Sequence, residues 1–153
     1  MKKKLIIISI ILLALDQISK ALVMNLMTLG QSIKVIPSFF YLTYIQNDGA
    51  ALNILSGNTF ILITISLIAL LYIIKLVITS KDNSMFQTII YSLLISGILG
   101  NVVDRIFYGK VIDFLDFHIF SYNFPVFNFA DTFIVIGAIL LVVNIIRSEK
   151  HEN

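Results

Sequence analysis

The groups in this chain that could do chemistry are mainly carboxylates, because the sequence offers few other reactive side chains. It contains no Cys and two histidines. Neither His118 nor His151 has a metal-ligand partner at helical spacing, and no serine lies in a nucleophile motif. Two carboxylates that lie close together can share one proton, so that one acts as general base on water and the other donates a hydrogen bond. We therefore searched for paired aspartates.

Three aspartates are candidates for such a pair: Asp104, Asp113 and Asp131. If residues 111–119 are extended, Asp113 and Asp116 point to opposite faces, because side chains alternate along a strand. Asp113 shares its face with apolar residues and Asp116 shares its face with His118. Asp113 is thus predicted to be buried and Asp116 to be more solvated. Asp131 could equally be the N-cap of a following helix.

Long apolar segments must position these residues. The chain has 153 residues, 58% of them apolar and 13% charged, with a mean hydropathy of +0.96. Soluble domains are about 45–50% apolar and about 25% charged. A net charge of +2 is too small for a nucleic-acid-binding surface. Because a span needs about 20 mainly apolar residues, the sequence predicts an α-helical membrane protein with four transmembrane helices, at about 4–25, 59–79, 85–104 and 131–147.

The basic residues predict how these helices are oriented, because cytoplasmic ends are enriched in Lys and Arg. Of the basic residues, Lys34 and Lys110 lie in the two long loops, at about 26–58 and 105–130, and Lys20 and Arg105 sit within or at the ends of helices on that same side. Seven lie at the chain ends and near the turn between the second and third helices: Lys2, Lys3, Lys4, Lys75, Lys81, Arg147 and Lys150. Both termini are therefore predicted to be cytoplasmic, and the three candidate aspartates lie on the outer side.

The first long loop has a pattern typical of extended structure. Residues 33–46 are rich in β-branched and aromatic side chains, and Asn47-Asp48-Gly49 is a turn signal. Pro37 indicates an edge strand or a bulge. Residues 50–55 could then form a short interfacial helix.

Polar residues inside the predicted helices are costly and therefore informative. Asp16 and Lys20 are four apart, so they share a helix face and can pair. We favour a structural ion pair, in which case replacing both residues leaves no unpaired charge, and contact with a substrate is the alternative. Asn101, Asp104 and Arg105 cluster at the outer end of the third helix. Ser96 and Gly100 of that helix form a small-xxx-small pair that permits close helix contact.

Five short blocks, in order along nearly the whole chain, resemble the signal peptidase II family of bacterial lipoprotein signal peptidases. Each block alone has little specificity, whereas the five together on a four-helix chain are highly specific. The blocks are Asp16-Gln17-Ile18-Ser19-Lys20, Asn47-Asp48-Gly49-Ala50-Ala51, Gly100-Asn101-Val102-Val103-Asp104-Arg105, Val111-Ile112-Asp113-Phe114 and Phe127-Asn128-Phe129-Ala130-Asp131.

The resemblance implies a membrane aspartyl endopeptidase of the bacterial plasma membrane, in which residues 1–153 form one peptidase domain with its active site facing outward. It implies a small β-cradle and a short interfacial helix outside the membrane, and substrates that are prolipoproteins carrying a diacylglyceryl cysteine. It implies contact with membrane lipids but no metal, cofactor or nucleic acid, and we expect a monomer. The catalytic dyad aligns with Asp113 and Asp131. The supporting positions are Asp16, Lys20, Asn47, Gly49, Asn101, Asp104, Arg105, Asn128 and Ala130.

Three positions depart from the family pattern, and two other classes of protein share the membrane topology. Leu52 replaces an aromatic residue, Ser96 replaces a glycine and Thr132 replaces a serine, and none of these changes removes a titrating or amide group. A small transporter would be favoured by Asp16 and Lys20, but the aspartates cluster at one surface. A structural or assembly factor would explain the helices but not the loop carboxylates.

Overall fold

One helix, α3 (Met85–Tyr108), is central to the protein. The computed structural model describes residues 2–50, 54–80, 84–119 and 122–152, and for residues 122–123 and 148–152 it describes the backbone. α3 packs against α1 (Lys2–Leu26), α2 (Thr59–Thr79) and α4 (Phe129–Glu152). Its most apolar stretch is 67% buried, against 22% for α1 and 17% each for α2 and α4. The three outer helices therefore present large apolar surfaces to lipid.

All four helices are long and apolar enough to cross a membrane, which confirms the four predicted spans. Several boundaries differ from prediction: α1 spans Lys2–Leu26 rather than 4–25, and α4 continues to Glu152 rather than ending at 147. α3 continues one turn beyond residue 104 and ends where Gly109 adopts a left-handed conformation (φ 71°), from which its N–H donates to Arg105 O. α4 begins at Phe129, two residues early, because Asn128 rather than Asp131 precedes its first turn. Arg105 and Asp131 are thus both helical.

Small residues allow α1, α3 and α4 to approach closely. A Cβ added at Gly100 would lie 2.5 Å from Asp16 Oδ2, and one added at Gly97 would lie 2.5 Å from the carbonyl oxygen of Ala130. The predicted role of Gly100 in close packing is therefore confirmed. Gly97 was not predicted, and it occupies the tightest contact between α3 and α4. Ser96 is buried, but its hydroxyl donates to carbonyl groups of its own helix.

An antiparallel sheet lies at the end of the bundle where α1 and α3 finish. β1 (Ser32–Ile36) pairs with β2 (Phe40–Asn47), β2 pairs with β3 (Val111–Ile119), and the two-residue β4 (Tyr122–Asn123) pairs with the end of β3. The predicted extended segment is thus a hairpin of two strands, because the chain reverses direction after Pro37, at Ser38 (φ 59°). The outer sheet of the predicted fold is confirmed.

One face of this sheet packs on the end of α1. Val23 of α1 and Met27, which directly follows α1, form a buried apolar cluster with Ile112 and Phe114 of β3. The sheet is thereby fixed on the helices, and it carries residues 47 and 113 to the ends of α3 and α4. Half of the predicted interfacial helix at 50–55, residues 51–53, lies outside the described residues, which resume at 54 with a turn over 54–57.

Candidate active site

Asp113 lies near the start of β3 and is 2% exposed. The prediction that it is more buried than Asp116 is confirmed. Strand alternation alone does not explain this burial, since residues 111–115 of β3 are buried on both faces of the strand. Asn47 Nδ2 donates to Asp113 Oδ2 at 3.0 Å, and Asn128 Nδ2 donates to Asp113 Oδ1 at 2.7 Å. Both carboxylate oxygens of Asp113 therefore accept hydrogen bonds from side-chain amides.

Asp131 lies in the first turn of α4, in a capping arrangement with Asn128. The backbone N–H of Asp131 donates to Asn128 Oδ1 at 2.9 Å, and the backbone N–H of Asn128 donates to Asp131 Oδ2 at 3.4 Å. This is the reciprocal pattern of a capping box, with Asn128 as N-cap. Asn128 therefore binds both aspartates at once, through its side-chain amide to Asp113 and through its backbone to Asp131. Asn101 Nδ2 donates to Asp131 Oδ1 at 2.7 Å.

Both aspartates line one cavity of about 620 Å³ at the end of the bundle that carries the sheet. Part of its wall is polar, and the remainder is formed by the chain before α4 and by the first two turns of α4. Val135 and Ile136 belong to that wall and are also among the exposed apolar residues of α4. The cavity therefore places the two carboxylates next to the lipid-facing surface of α4.

Burial raises the pKa of Asp113 to about 7, and the charge of Asp131 contributes to the increase. Hydrogen bonds from Asn47 and Asn128 act in the opposite direction, as does the charge of Lys20. A carboxyl group with this pKa exchanges its proton near neutral pH, which suits general acid–base catalysis.

Asp16, Lys20 and Asp104 form a buried cluster next to the cavity, which we call the ion cluster. Lys20 Nζ lies 2.9 Å from Asp16 Oδ2 and 2.8 Å from Asp104 Oδ2, and all three side chains are at most 1% exposed. The predicted pairing of Asp16 with Lys20 is confirmed, but one ammonium group serves two carboxylates. The expectation that replacing Asp16 and Lys20 together leaves no unpaired charge is therefore wrong, because Asp104 would remain.

Every carboxylate oxygen of the ion cluster accepts a hydrogen bond. Asp16 Oδ1 accepts the N–H of Ala130 in the first turn of α4, and Asp104 Oδ2 accepts the N–H of Ile112 in β3. Gln17 Nε2 donates to Asp104 Oδ1 at 2.9 Å and to Asp16 Oδ2 at 3.1 Å. The ion cluster thus ties α1, α3, β3 and α4 together.

Gln17 was not among the predicted site residues. Its position beside Asp16 inside an apolar helix could have indicated a role in the site, since an amide within a membrane span needs hydrogen-bond partners. Its two carboxylate partners lie on different helices, and one of them is 87 residues away in sequence.

Arg105 connects α3 to the turn after β2. Its Nη2 donates to the carbonyl oxygen of Gly49 at 2.8 Å, and the N–H of Gly49 donates to Asn47 Oδ1 at 2.9 Å. This second contact confirms the turn predicted at residues 47–49. The Nε–H of Arg105 is buried and has no hydrogen-bond partner among the described residues. Other atoms of Arg105 line the cavity.

Asp116 and His118 lie on β3 outside this site. Asp116 accepts a hydrogen bond from the Thr43 hydroxyl at 2.6 Å and lies 2.9 Å from His118 Nε2. Neither Asp116 nor His118 lines the cavity. The predicted separation of Asp113 from Asp116 is confirmed.

The structure divides the predicted site residues into two groups. Those that line the cavity are Asn47, Gly49, Asn101, Arg105, Asp113 and Asp131. Those that lie behind it and contact the first group or each other are Asp16, Lys20, Asp104, Asn128 and Ala130. Of the three departures from the family pattern, Thr132 lines the cavity, Ser96 is buried in α3 and Leu52 lies outside the described residues.

A bundle of membrane-spanning helices that holds two aspartates in one cavity at one end is the arrangement of a membrane-embedded aspartic protease. The family model for signal peptidase II matches residues 8–147. The chain belongs to the signal peptidase II family, and it is a multi-pass membrane protease of the aspartic type.

Named relatives and solved structures agree with this family. The lipoprotein signal peptidases of Staphylococcus aureus strains Newman and N315 are 37% identical over 147 residues, covering 96% of this chain and 90% of each relative. Two solved structures described as bacterial membrane enzymes share the fold. The first has a TM-score of 0.91 at 36% identity, and the alignment covers 97% of this chain and 91% of the chain in that structure. The second has a TM-score of 0.84 at 38% identity, and the alignment covers 92% of this chain and 91% of the chain in that structure.

Proposed function

We propose that this protein removes signal peptides from prolipoproteins that carry a diacylglyceryl cysteine, and that it cleaves just before that cysteine. The whole chain, residues 1–153, acts as one membrane-embedded peptidase domain and as a monomer. The observation that carries the proposal is the shared cavity of Asp113 and Asp131 beside the lipid-facing surface of α4. The names of the relatives support the substrate class.

The proposed chemistry uses the two aspartates as a dyad that shares one proton. The ionised carboxylate removes a proton from a water molecule, and the resulting hydroxide adds to the scissile carbonyl carbon. The protonated carboxyl group donates a hydrogen bond to the carbonyl oxygen. The carbon–nitrogen bond then breaks, and the departing amine takes a proton from the dyad. This route needs no metal or cofactor.

The cavity supplies two kinds of contact for such a substrate. Its apolar wall, which includes Ile134, Val135 and Ile136, suits acyl chains that enter from the bilayer. Its polar part includes Arg105, whose guanidinium group can donate a hydrogen bond to a backbone carbonyl of the substrate. Binding of the lipid group would position the peptide bond at the dyad, which lowers the entropic cost of the reaction.

The ion cluster argues against transport as the function. Asp16 and Lys20 were the features that favoured a transporter, and a transport path would need such charges to face it. Neither residue lines the cavity, and each is bonded within the ion cluster.

Cleavage of matched precursors by the purified protein tests the substrate class. Two synthetic precursors would share one sequence, and only one would carry a diacylglyceryl group on its cysteine. We expect mass spectrometry to show cleavage of the lipidated precursor alone, with the modified cysteine as the new N-terminus. Equal cleavage of the unmodified precursor, or cleavage at another bond, would refute the proposal.

We also propose that both termini are cytoplasmic and that the cavity opens on the outer side of the plasma membrane. Because the natural chain lacks cysteine, single cysteines can report on this orientation. Lys34→Cys in β1 is expected to react with a membrane-impermeant maleimide in intact cells, and Lys3→Cys in α1 is expected to react only after permeabilisation. Both positions are exposed in the structure. The opposite pattern would overturn the proposed topology.

A further inference from the structure

Three asparagines contact the two aspartates of the dyad, and each presents an N–H rather than its oxygen. Asn47 and Asn128 donate to Asp113, and Asn101 donates to Asp131. The two ends of an asparagine amide are nearly equal in size, so a reversed amide fits the same space. A reversed amide would favour the protonated form of the facing aspartate, whereas the observed orientation favours the ionised form. The cause of each orientation therefore matters for catalysis.

Backbone N–H groups set two of these orientations. The N–H of Gly49 donates to Asn47 Oδ1, and the N–H of Asp131 donates to Asn128 Oδ1. A backbone N–H can only donate, so each amide must turn its oxygen toward that group and its NH₂ toward Asp113. No side-chain substitution removes either of these donors.

Asn101 differs, because a side-chain ammonium group fixes its amide. Lys20 Nζ donates to Asn101 Oδ1 at 3.2 Å. Asn128 Nδ2 also approaches this oxygen, at 3.3 Å, but it makes its short bond of 2.7 Å to Asp113. An ammonium group has no lone pair and cannot accept a hydrogen bond. Among the described contacts, Lys20 is therefore the charged donor that turns Asn101 Nδ2 toward Asp131.

We propose that Lys20 is a positioning residue for the reaction, which acts on Asp131 by fixing the amide orientation of Asn101. This inference rests on the proposed function of the dyad. Lys20 touches neither the cavity nor the two catalytic carboxylates, and its three ammonium contacts are Asp16, Asp104 and Asn101. Its role in catalysis is thus separate from its role in balancing buried charge.

Removal of Lys20 is expected to reverse the Asn101 amide. The carboxylates of Asp16 and Asp104 would lose their ammonium partner and would attract the Asn101 NH₂ group in its place. Asn101 Oδ1 would then face Asp131, which favours the protonated form of that carboxyl group. The charged groups near Asp131 are Lys20 and Asp16 on α1, Asp104 and Arg105 on α3, and Asp113 on β3. A test must therefore separate amide reversal from the direct loss of a positive charge.

A double-mutant cycle makes this separation, with Lys20→Met and Asn101→Ala measured singly and together. The readout is the pH dependence of kcat/KM for cleavage of a lipidated precursor by folded, purified enzyme. We expect Lys20→Met to move the acidic limb of the profile to higher pH by about one unit, and Asn101→Ala to move it similarly. In the double variant the shift should be no larger than in Asn101→Ala alone. The matched control is Lys34→Met, which removes an exposed lysine of β1 and should leave the profile unchanged.

Two outcomes would overturn the inference. In one, Lys20→Met lowers stability but leaves the acidic limb in place. In the other, the Lys20→Met shift persists at full size in the Asn101→Ala background, which means that the charge acts directly through space. If Lys20→Met does not fold, the same cycle in an Asp16→Asn background leaves one unpaired carboxylate fewer, and the same criteria apply.

The test also distinguishes this inference from the proposed function. Wild-type turnover by Asp131→Asn would refute the dyad itself. An inactive Asp131→Asn enzyme combined with additive shifts in the cycle would refute the role of Lys20 alone.

Discussion

Two groups of aspartates lie side by side at the sheet-bearing end of the helix bundle, and they differ in the groups that donate to them. In the ion cluster, Asp16 and Asp104 share an ammonium group and also accept hydrogen bonds from backbone N–H groups and from Gln17. In the dyad, Asp113 and Asp131 receive bonds from neutral amides and line a cavity. The ion cluster lies behind the cavity, whereas both aspartates of the dyad line it.

This difference shows how one residue type serves structure and chemistry within a few residues of sequence. In the ion cluster, the carboxylates pair with an ammonium group and accept hydrogen bonds on both oxygens, which suits a structural role. In the dyad, a carboxyl group that faces amides and a second carboxyl group can hold a proton and exchange it. The pKa of Asp113, raised to about 7 by burial and by the charge of Asp131, fits the second description.

The largest effect is expected from removing the dyad itself. Asp113→Asn and Asp131→Asn should each lower turnover by at least ~10²–10⁴-fold, because an amide cannot take a proton from water. Cleavage of a lipidated precursor by purified variants measures this effect. Asp116→Asn is the matched control, since it changes the same atoms of β3 outside the cavity and should retain activity. Near-normal turnover by either dyad variant would refute the proposed catalytic role of that aspartate.

A second effect is expected on stability, from the ion cluster. Lys20→Leu leaves two buried carboxylates without a cation and should cost ~3–5 kcal/mol. Asp16→Leu leaves Lys20 paired with Asp104 and removes the acceptor of the Ala130 N–H, so it should cost only ~1–3 kcal/mol. Asp16→Leu combined with Lys20→Leu should remain destabilised, because Asp104 keeps no ammonium partner among the described residues.

Unfolding in detergent micelles would measure these free energies, with Lys34→Leu as a control that should change stability by less than ~0.5 kcal/mol. Full recovery of stability in the Asp16→Leu/Lys20→Leu variant would mean that Asp104 does not belong to the ion cluster.

The smallest effect is a pH dependence of stability that arises from Asp113. Because its pKa is raised from an ordinary value of 3.8 to about 7 in the folded protein, ionisation of Asp113 costs stability. The cost is absent below about pH 3.8, grows as the pH rises to about 7 and is constant above that value. The stability of Asp113→Asn relative to wild type should therefore rise between about pH 5 and about pH 8, by on the order of 2 kcal/mol. Melting temperatures at the two pH values would measure this change, and an unchanged difference would contradict the raised pKa.

The helices and the strand that carries Asp113 could be predicted because their signals are local. Apolar runs define the spans, and alternation along 111–119 separated Asp113 from Asp116. The end of α3 was predicted too early, since Arg105 resembles the end of a span and the helix in fact continues to Tyr108, with Gly109 as its cap. The bulge between β2 and β3, which offsets their register near residues 42–45, has no comparable local signal.

The partners of the polar residues could not be predicted, because they lie on different elements. The spacing of Asp16 and Lys20 predicts their pairing along one helix, but Asp104 joins them across 84 residues, from position 20 to position 104. The interaction of Asp16 with the N–H of Ala130 likewise depends on the close approach of α1, α3 and α4 at Gly100. Sequence spacing specifies which residues are neighbours on one helix, whereas the packing of the helices specifies which residues meet between different elements.

The contact between Asp16 and Ala130 has a consequence for biogenesis. The first helix to emerge from the ribosome supplies an acceptor to the first turn of the last helix, and that turn also carries Asp131. A nascent chain that has inserted α1, α2 and α3 has one carboxylate of the dyad and lacks the other. With Asp113 and Asp131 as the proposed dyad, proteolytic competence therefore arises only once α4 has inserted beside α1 and α3.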